Sequence, residues 1–230
     1  MFAQSELDSI KNVFLDDMAF KPSLCIAYIS PELDFKKTVE LINSSVPENT
    51  PVLSILSAGE LCNIPHQSLS LYGTDSTQPR IILHSFSSAL FIDVSVHKVL
   101  LYSHDIKDGN LTLSTDERIE KIRQECEKIN PSFPILSYDT FALTYVDGFS
   151  KSENFLLEAL YKTHKFPCLF IGGSSGGKID FKYTDLAINN ESLSDSAAII
   201  FCKMAHKKRF APLKSQSIEA VKEQSFIVLE

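Results

Sequence analysis

One pattern occurs twice in this chain. An apolar strand, a helix and a second apolar strand run from Leu24 to Leu61 and again from Phe141 to Lys178, at an offset near 116 residues throughout. In the first copy Leu24-Cys25-Ile26-Ala27-Tyr28-Ile29 reads as a buried strand. Ser30-Pro31 then opens a helix through Asn43 with Phe35, Val39 and Ile42 inward, and Pro51 to Leu56 reads as the second strand. In the second copy Ala142 to Val146 answers Ile26 to Ile29. Ser150-Lys151-Ser152-Glu153 spells a capping box, and Pro167-Cys168-Leu169 answers Pro51-Val52-Leu53. Fixed-period self-similarity is the mark of internal duplication, and such units are parallel with a right-handed crossover.

Strand-like segments follow each unit. After the first, a polar loop over 65–79 leads to Ile81 to Leu83, Leu90 to Ile92 and Val96 to Tyr102. Asp108-Gly109 then supplies a turn before Leu111-Thr112-Leu113. After the second come Phe181 to Ile188, Ala197 to Met204, Phe210 to Ser217 and Phe226 to Leu229, and both sets read as antiparallel meanders. Two further helices are expected, over 5–18 and from Thr115 to about Asn130. The fold class is therefore α/β, a single domain over 1–230 with pseudo-repeats 24–113 and 141–230, mixed sheet and outer helices. The pattern leaves open one sheet or two sheets packed as an αββα sandwich. The strand-like run at the very end makes a fragment of something longer the expectation.

Composition excludes several classes. Hydrophobic content of 44% with 22% charged residues is that of a globular chain with a real core. A net charge of -7 argues against nucleic-acid binding, which needs a basic footprint. No apolar run approaches the length of a membrane span, and the N-terminus is not a secretory leader. The five cysteines are scattered and odd in number, with no pair at zinc-ligand spacing, so a reducing cytoplasm is expected.

The second copy ends in Phe166-Pro167-Cys168-Leu169-Phe170-Ile171-Gly172-Gly173-Ser174-Ser175-Gly176-Gly177-Lys178, which holds 4 of the chain's 8 glycines. Glycine allows positive φ and close approach to a bound group, and strand ends in open α/β sheets hold ligands. Nearby chemistries fail on detail. A P-loop would need Ser or Thr where Ile179 stands, and a helix after it. A nucleophile elbow centred on Ser174 must also lead into a helix, so no catalytic residue is assigned. The six histidines lack metal-pair spacing. One could still serve a haem as axial ligand, and His84 and His97, in apolar strands, are the candidates. Asp147-Gly148 and Glu60 sit at comparable strand ends.

Together these motifs resemble a known family. Leu53-Ser54-Ile55-Leu56-Ser57-Ala58-Gly59-Glu60-Leu61 resembles the first signature loop of the FIST sensory domain. Thr144-Tyr145-Val146-Asp147-Gly148-Phe149-Ser150 and Phe170-Ile171-Gly172-Gly173-Ser174-Ser175-Gly176 resemble its second and third. The resemblance implies a non-enzymatic intracellular sensory module of the N-terminal FIST type. It would bind a small ligand, with amino acids proposed, and signal to a kinase, cyclase or chemotaxis output. Some members of the family instead bind haem and sense nitric oxide. The site expected on this basis is Ser57, Gly59, Glu60, Asp147, Gly172, Gly173, Ser174, Ser175 and Gly176. One departure stands out: the family's third loop usually ends in an acidic residue, whereas Gly177 is followed here by Lys178, which favours an anionic group.

Overall fold

The computed structural model describes residues 20–59, 61–63, 70–72, 81–178 and 183–213. The expected helix over 5–18, the end of the expected strand Phe210 to Ser217 and the expected strand Phe226 to Leu229 lie outside the described residues, while 210–213, which are described, form no strand.

Strand β1 (Pro22–Ile29) leads through helix α1 (Phe35–Ser45) to strand β2 (Val52–Leu56), which lies parallel beside it. Leu24 and Ile26 face the middle of the molecule, while Cys25, Ala27 and Ile29 face α1. A strand covered on both faces has no polar side, which is why the segment is apolar at nearly every position. Helix α1 starts later than Ser30-Pro31 suggests. Those residues form a turn closed by Leu33 N–H on the Ser30 carbonyl at 3.1 Å, and Asp34 caps the helix by accepting from the Lys37 amide. Such a cap contributes about 1 kcal/mol. Phe35, Val39 and Ile42 are buried, as their spacing requires, each gaining roughly 1.5–3 kcal/mol by leaving water.

Strands β3 (Leu61–Asn63) and β4 (Ser70–Tyr72) pair with each other. The first meander does not form. Strand β5 (Ile81–Ser87) lies antiparallel to β1, but β6 (Phe91–Leu100) leaves for a different sheet after a turn in which Leu90 N–H bonds to the Ser87 carbonyl. Nor is Leu111-Thr112-Leu113 a strand. The chain instead makes a short helix α2 (His104–Lys107), and the Thr112 and Leu113 amides donate to the Asp105 carboxylate at 2.9 and 3.0 Å. Helix α3 (Thr115–Lys128) is capped by Ser114 rather than Thr115, in a full capping box with Glu117.

The second unit comprises β7 (Thr140–Val146), α4 (Glu153–Lys162) and β8 (Leu169–Ser174), with β7 and β8 parallel. Then come β9 (Leu186–Ile188), β10 (Glu191–Ser192) and β11 (Ser196–Met204). The second meander is divided as well. β11 lies antiparallel to β7, whereas β9 pairs with β2.

The result is two mixed sheets, β10-β9-β2-β1-β5 and β6-β11-β7-β8. Each contains one parallel pair, and each also holds strands from the other half of the chain. They pack face to face through Leu24, Ile26, Leu53 and Ile55 on one side and Phe91, Phe141, Ile200 and Met204 on the other. Helix α1 covers the outer face of the first sheet, and α3 and α4 that of the second. This is the αββα sandwich among the two arrangements the sequence allows.

Candidate functional site

In each half the second strand runs straight into a small-residue loop. Ser57 N–H bonds back to the Ile29 carbonyl at 2.9 Å, and Ser175 N–H does the same to Val146 at 2.8 Å. The two loops touch. The Gly176 amide donates to the Leu56 carbonyl at 2.7 Å, and a Cβ on Gly176 would lie 2.6 Å from the Ala58 nitrogen. Gly148 and Gly177 are crowded in the same way, against the Ser175 and Tyr183 carbonyls at 2.0 and 2.2 Å. The expectation of positive φ in this stretch is therefore corrected. Among the described glycines only Gly109 is left-handed, with φ 70. Gly148, Gly172, Gly176 and Gly177 instead sit where backbone meets backbone in the place a side chain would take.

Where the loops meet, a cavity of about 940 Å³ opens. Ala58 comes from the first loop and Ser175, Gly176, Gly177 and Lys178 from its counterpart. Gly148, Phe149 and Lys151 follow β7, Ile106 and Lys107 belong to α2, and Tyr183 and Thr184 precede β9. This is the size and partly apolar character of a small-molecule pocket.

Asp147 lies beneath it, 5% exposed. Lys107 Nζ and Thr184 Oγ1 each donate to its carboxylate at 2.7 Å, and the Phe149 and Asp195 amides donate at 3.1 Å. Burial alone would raise this carboxyl, but Lys107, Thr184 and the Phe149 amide outweigh it and hold it below the usual range. Lys107 is in turn placed by a buried arginine. Arg118 of α3, 2% exposed, reaches both Asp105 oxygens at 2.7 Å and also donates to the Tyr102 carbonyl. That grip fixes α2, and α2 carries Ile106 and Lys107 to the cavity wall.

The residues expected from sequence separate. Ser175 and Gly176 line the cavity, and Asp147 supports it from below. Ser57 is half-buried and Gly59 exposed, both flanking Ala58 but off the lining. Glu60 lies outside the described residues. Gly172 and Gly173 belong to β8 and line a separate hollow of about 450 Å³ against α4, with Leu156, Leu157 and Phe170. Ser174 hydrogen bonds to Glu153. The expected capping box does not form: α4 begins at Glu153, Ser152 precedes it with no side-chain cap bond, and Lys151 takes φ 50. Lys151 and Gly177 adjoin signalled positions, whereas Thr184 does not. Ile106 and Lys107 carried no sequence signal at all.

Neither candidate haem ligand reaches the cavity. His84 is exposed on β5 beside the Tyr28 and Phe86 rings, and His97 on β6 bonds through Nε2 to the Ser95 hydroxyl at 2.8 Å. No described residue lining the cavity is a histidine, so the groups there do not fit a haem needing an axial ligand. No cluster of three His, Cys, Asp or Glu suited to a metal occurs among the described residues. No described helix is long and apolar enough to cross a membrane.

Residues 23–230 match the family model described as the FIST N domain. The chain belongs to that family. FIST domains are sensory domains commonly found in signalling proteins, and the family is not known as one of enzymes. No curated protein matches the chain. Among FIST N domain residues matched here are both touching loops and the β7 end that carries Asp147.

Proposed function

We propose that this FIST N domain is a non-enzymatic sensor that binds a small molecule in the cavity between its two half-related loops. The observation that carries this is the contact of the loops through Gly176 and Leu56, which turns two strand ends into one pocket. A ligand seated there touches both halves of the chain together with α2, so occupancy is linked to how those elements sit. Amino acids and small organic anions are the candidate ligands. The signal passes to a kinase, cyclase or chemotaxis output. A cytoplasmic setting is supported by the free cysteines among the described residues, of which burial pushes Cys126, Cys168 and Cys202 up to about 12.

The test is thermal unfolding of the full chain across a panel of amino acids and organic acids. A ligand specific to the folded state raises the melting temperature as its concentration passes the dissociation constant. Gly176→Val removes that shift. A panel that leaves the melting temperature unmoved overturns the reading.

A further inference from the structure

Gly172 and Gly173 leave β8 without side chains where it passes α4. The hollow of about 450 Å³ beside them shares no described lining residue with the cavity between the loops. Gly172 stands next to Thr144 in the parallel pair, where a Cβ would lie 1.7 Å from the Thr144 carbonyl oxygen, so this position has to be glycine. Leu156, Leu157, Phe170 and Ile171 give the hollow apolar walls. Its volume is that of a small-molecule pocket.

Thr144 and Glu153 break the apolar lining. Thr144 shares the face of β7 that carries Ala142 and Val146 toward the helices. It is 6% exposed, and its hydroxyl has no hydrogen-bond partner among the described residues. A buried hydroxyl left unmet costs stability, and each such group in a native fold calls for a reason. Glu153 opens α4, and its carboxylate accepts from the Ser174 hydroxyl. A carboxylate offers about four lone-pair sites, so one donor does not exhaust it.

We propose that this hollow is a second binding site, which takes a small primary amine with a branched hydrocarbon body. The ammonium group donates to the Glu153 carboxylate and to the Thr144 hydroxyl, and the body packs on Leu156, Leu157 and Phe170. Glu153 sets the sign of the head group, since it attracts an ammonium and repels a carboxylate. Binding here does not depend on what the cavity between the loops holds.

Isoamylamine, isoamyl alcohol and isovalerate share one hydrocarbon body and differ in the head group. The chain has no tryptophan, so Leu157→Trp places a single fluorophore at the hollow, and titration calorimetry on the unaltered chain checks the ranking. At low salt the amine is expected to bind about tenfold more tightly than the alcohol, and the carboxylate more weakly than either. Glu153→Gln brings the amine down to the affinity of the alcohol, whereas Glu153→Asp keeps most of the preference. Thr144→Val weakens amine and alcohol alike, by about threefold. Added salt narrows the gap between them. An amine that binds no more tightly than the alcohol overturns the proposal, and so does an amine affinity that Glu153→Gln leaves unchanged. Silence of all three compounds at millimolar concentration overturns it as well, and none of these results touches the ligand site between the loops.

Discussion

The Tyr28 and Tyr145 hydroxyls hydrogen bond to each other at 2.8 Å, although they are 117 residues apart. They occupy matching places: Tyr28 stands beside Ile55 in the parallel pair of one sheet, and Tyr145 beside Gly173 in that of the other. The bond joins the two sheets near the strand ends from which the cavity loops depart. Burial and the Tyr28 hydroxyl push the Tyr145 phenol well above its ordinary range.

Removing one hydroxyl leaves the other half-buried without its partner. Tyr28→Phe or Tyr145→Phe is expected to cost about 1 kcal/mol in urea unfolding, and the double variant clearly less than the sum. A double-mutant cycle with no coupling contradicts a direct bond between them.

Gly176 and Gly173 make a contrast between crowded and open glycine. A Cβ on Gly176 would meet the Ala58 backbone at 2.6 Å, whereas one on Gly173 would meet nothing within 4 Å. Gly176→Ala should therefore cost about 2 kcal/mol or more and loosen the loop contact. Gly173→Ala should be neutral or stabilise by up to about 1 kcal/mol, because the unfolded chain loses freedom. Melting temperatures of the two variants check the ordering.

Asp147→Asn strands Lys107 without its carboxylate in a half-buried site. The expected cost is about 2–4 kcal/mol at neutral pH. The folded-state value of this carboxyl is depressed, so its contribution is present above the ordinary carboxylate range and disappears as pH falls through the folded value. Chemical unfolding of wild type and variant should accordingly begin to converge below pH ~4 and meet only below the folded-state value. A deficit that stays constant down to acid pH would show that charge is not what the site uses.

Lys151 holds φ 50, a left-handed conformation that costs a side-chain-bearing residue roughly 1 kcal/mol relative to glycine. Lys151→Gly should raise the melting temperature by about 2–4 °C. A melting temperature that does not rise contradicts a strained backbone at this position.

Much of the architecture was legible because a strand buried on both faces must be apolar throughout. Leu24 to Ile29, Ala142 to Val146 and Ala197 to Met204 announce themselves in that way. Period fixed the inward faces of α1 and α3 equally well. Partner choice was not legible. Ile81 to Ser87 and Phe91 to Leu100 look like neighbouring strands of one meander, and nothing local in the turn at 88–90 says that the chain changes sheets there. The capping box expected at Ser150 to Glu153 does not form, because the helix starts at Glu153 itself and Ser150 lies two residues ahead of the cap position.

The residues themselves determined that two strand–helix–strand units exist, that their second strands end in small-residue loops, and that these loops matter. They also specified glycine at Gly148, Gly176 and Gly177, though for a different reason than positive φ. Only tertiary structure decided that the loops meet, because the Gly176 amide finds the Leu56 carbonyl solely once two sheets have packed face to face. It likewise divided the expected site. Gly172 and Gly173 stayed in β8, while Lys107, which no nearby pattern marks, was brought to Asp147 through Arg118 and Asp105. Spacing along a chain fixes which side of an element a residue takes; which elements then become neighbours depends on long-range burial, and the cavity is a product of that second step.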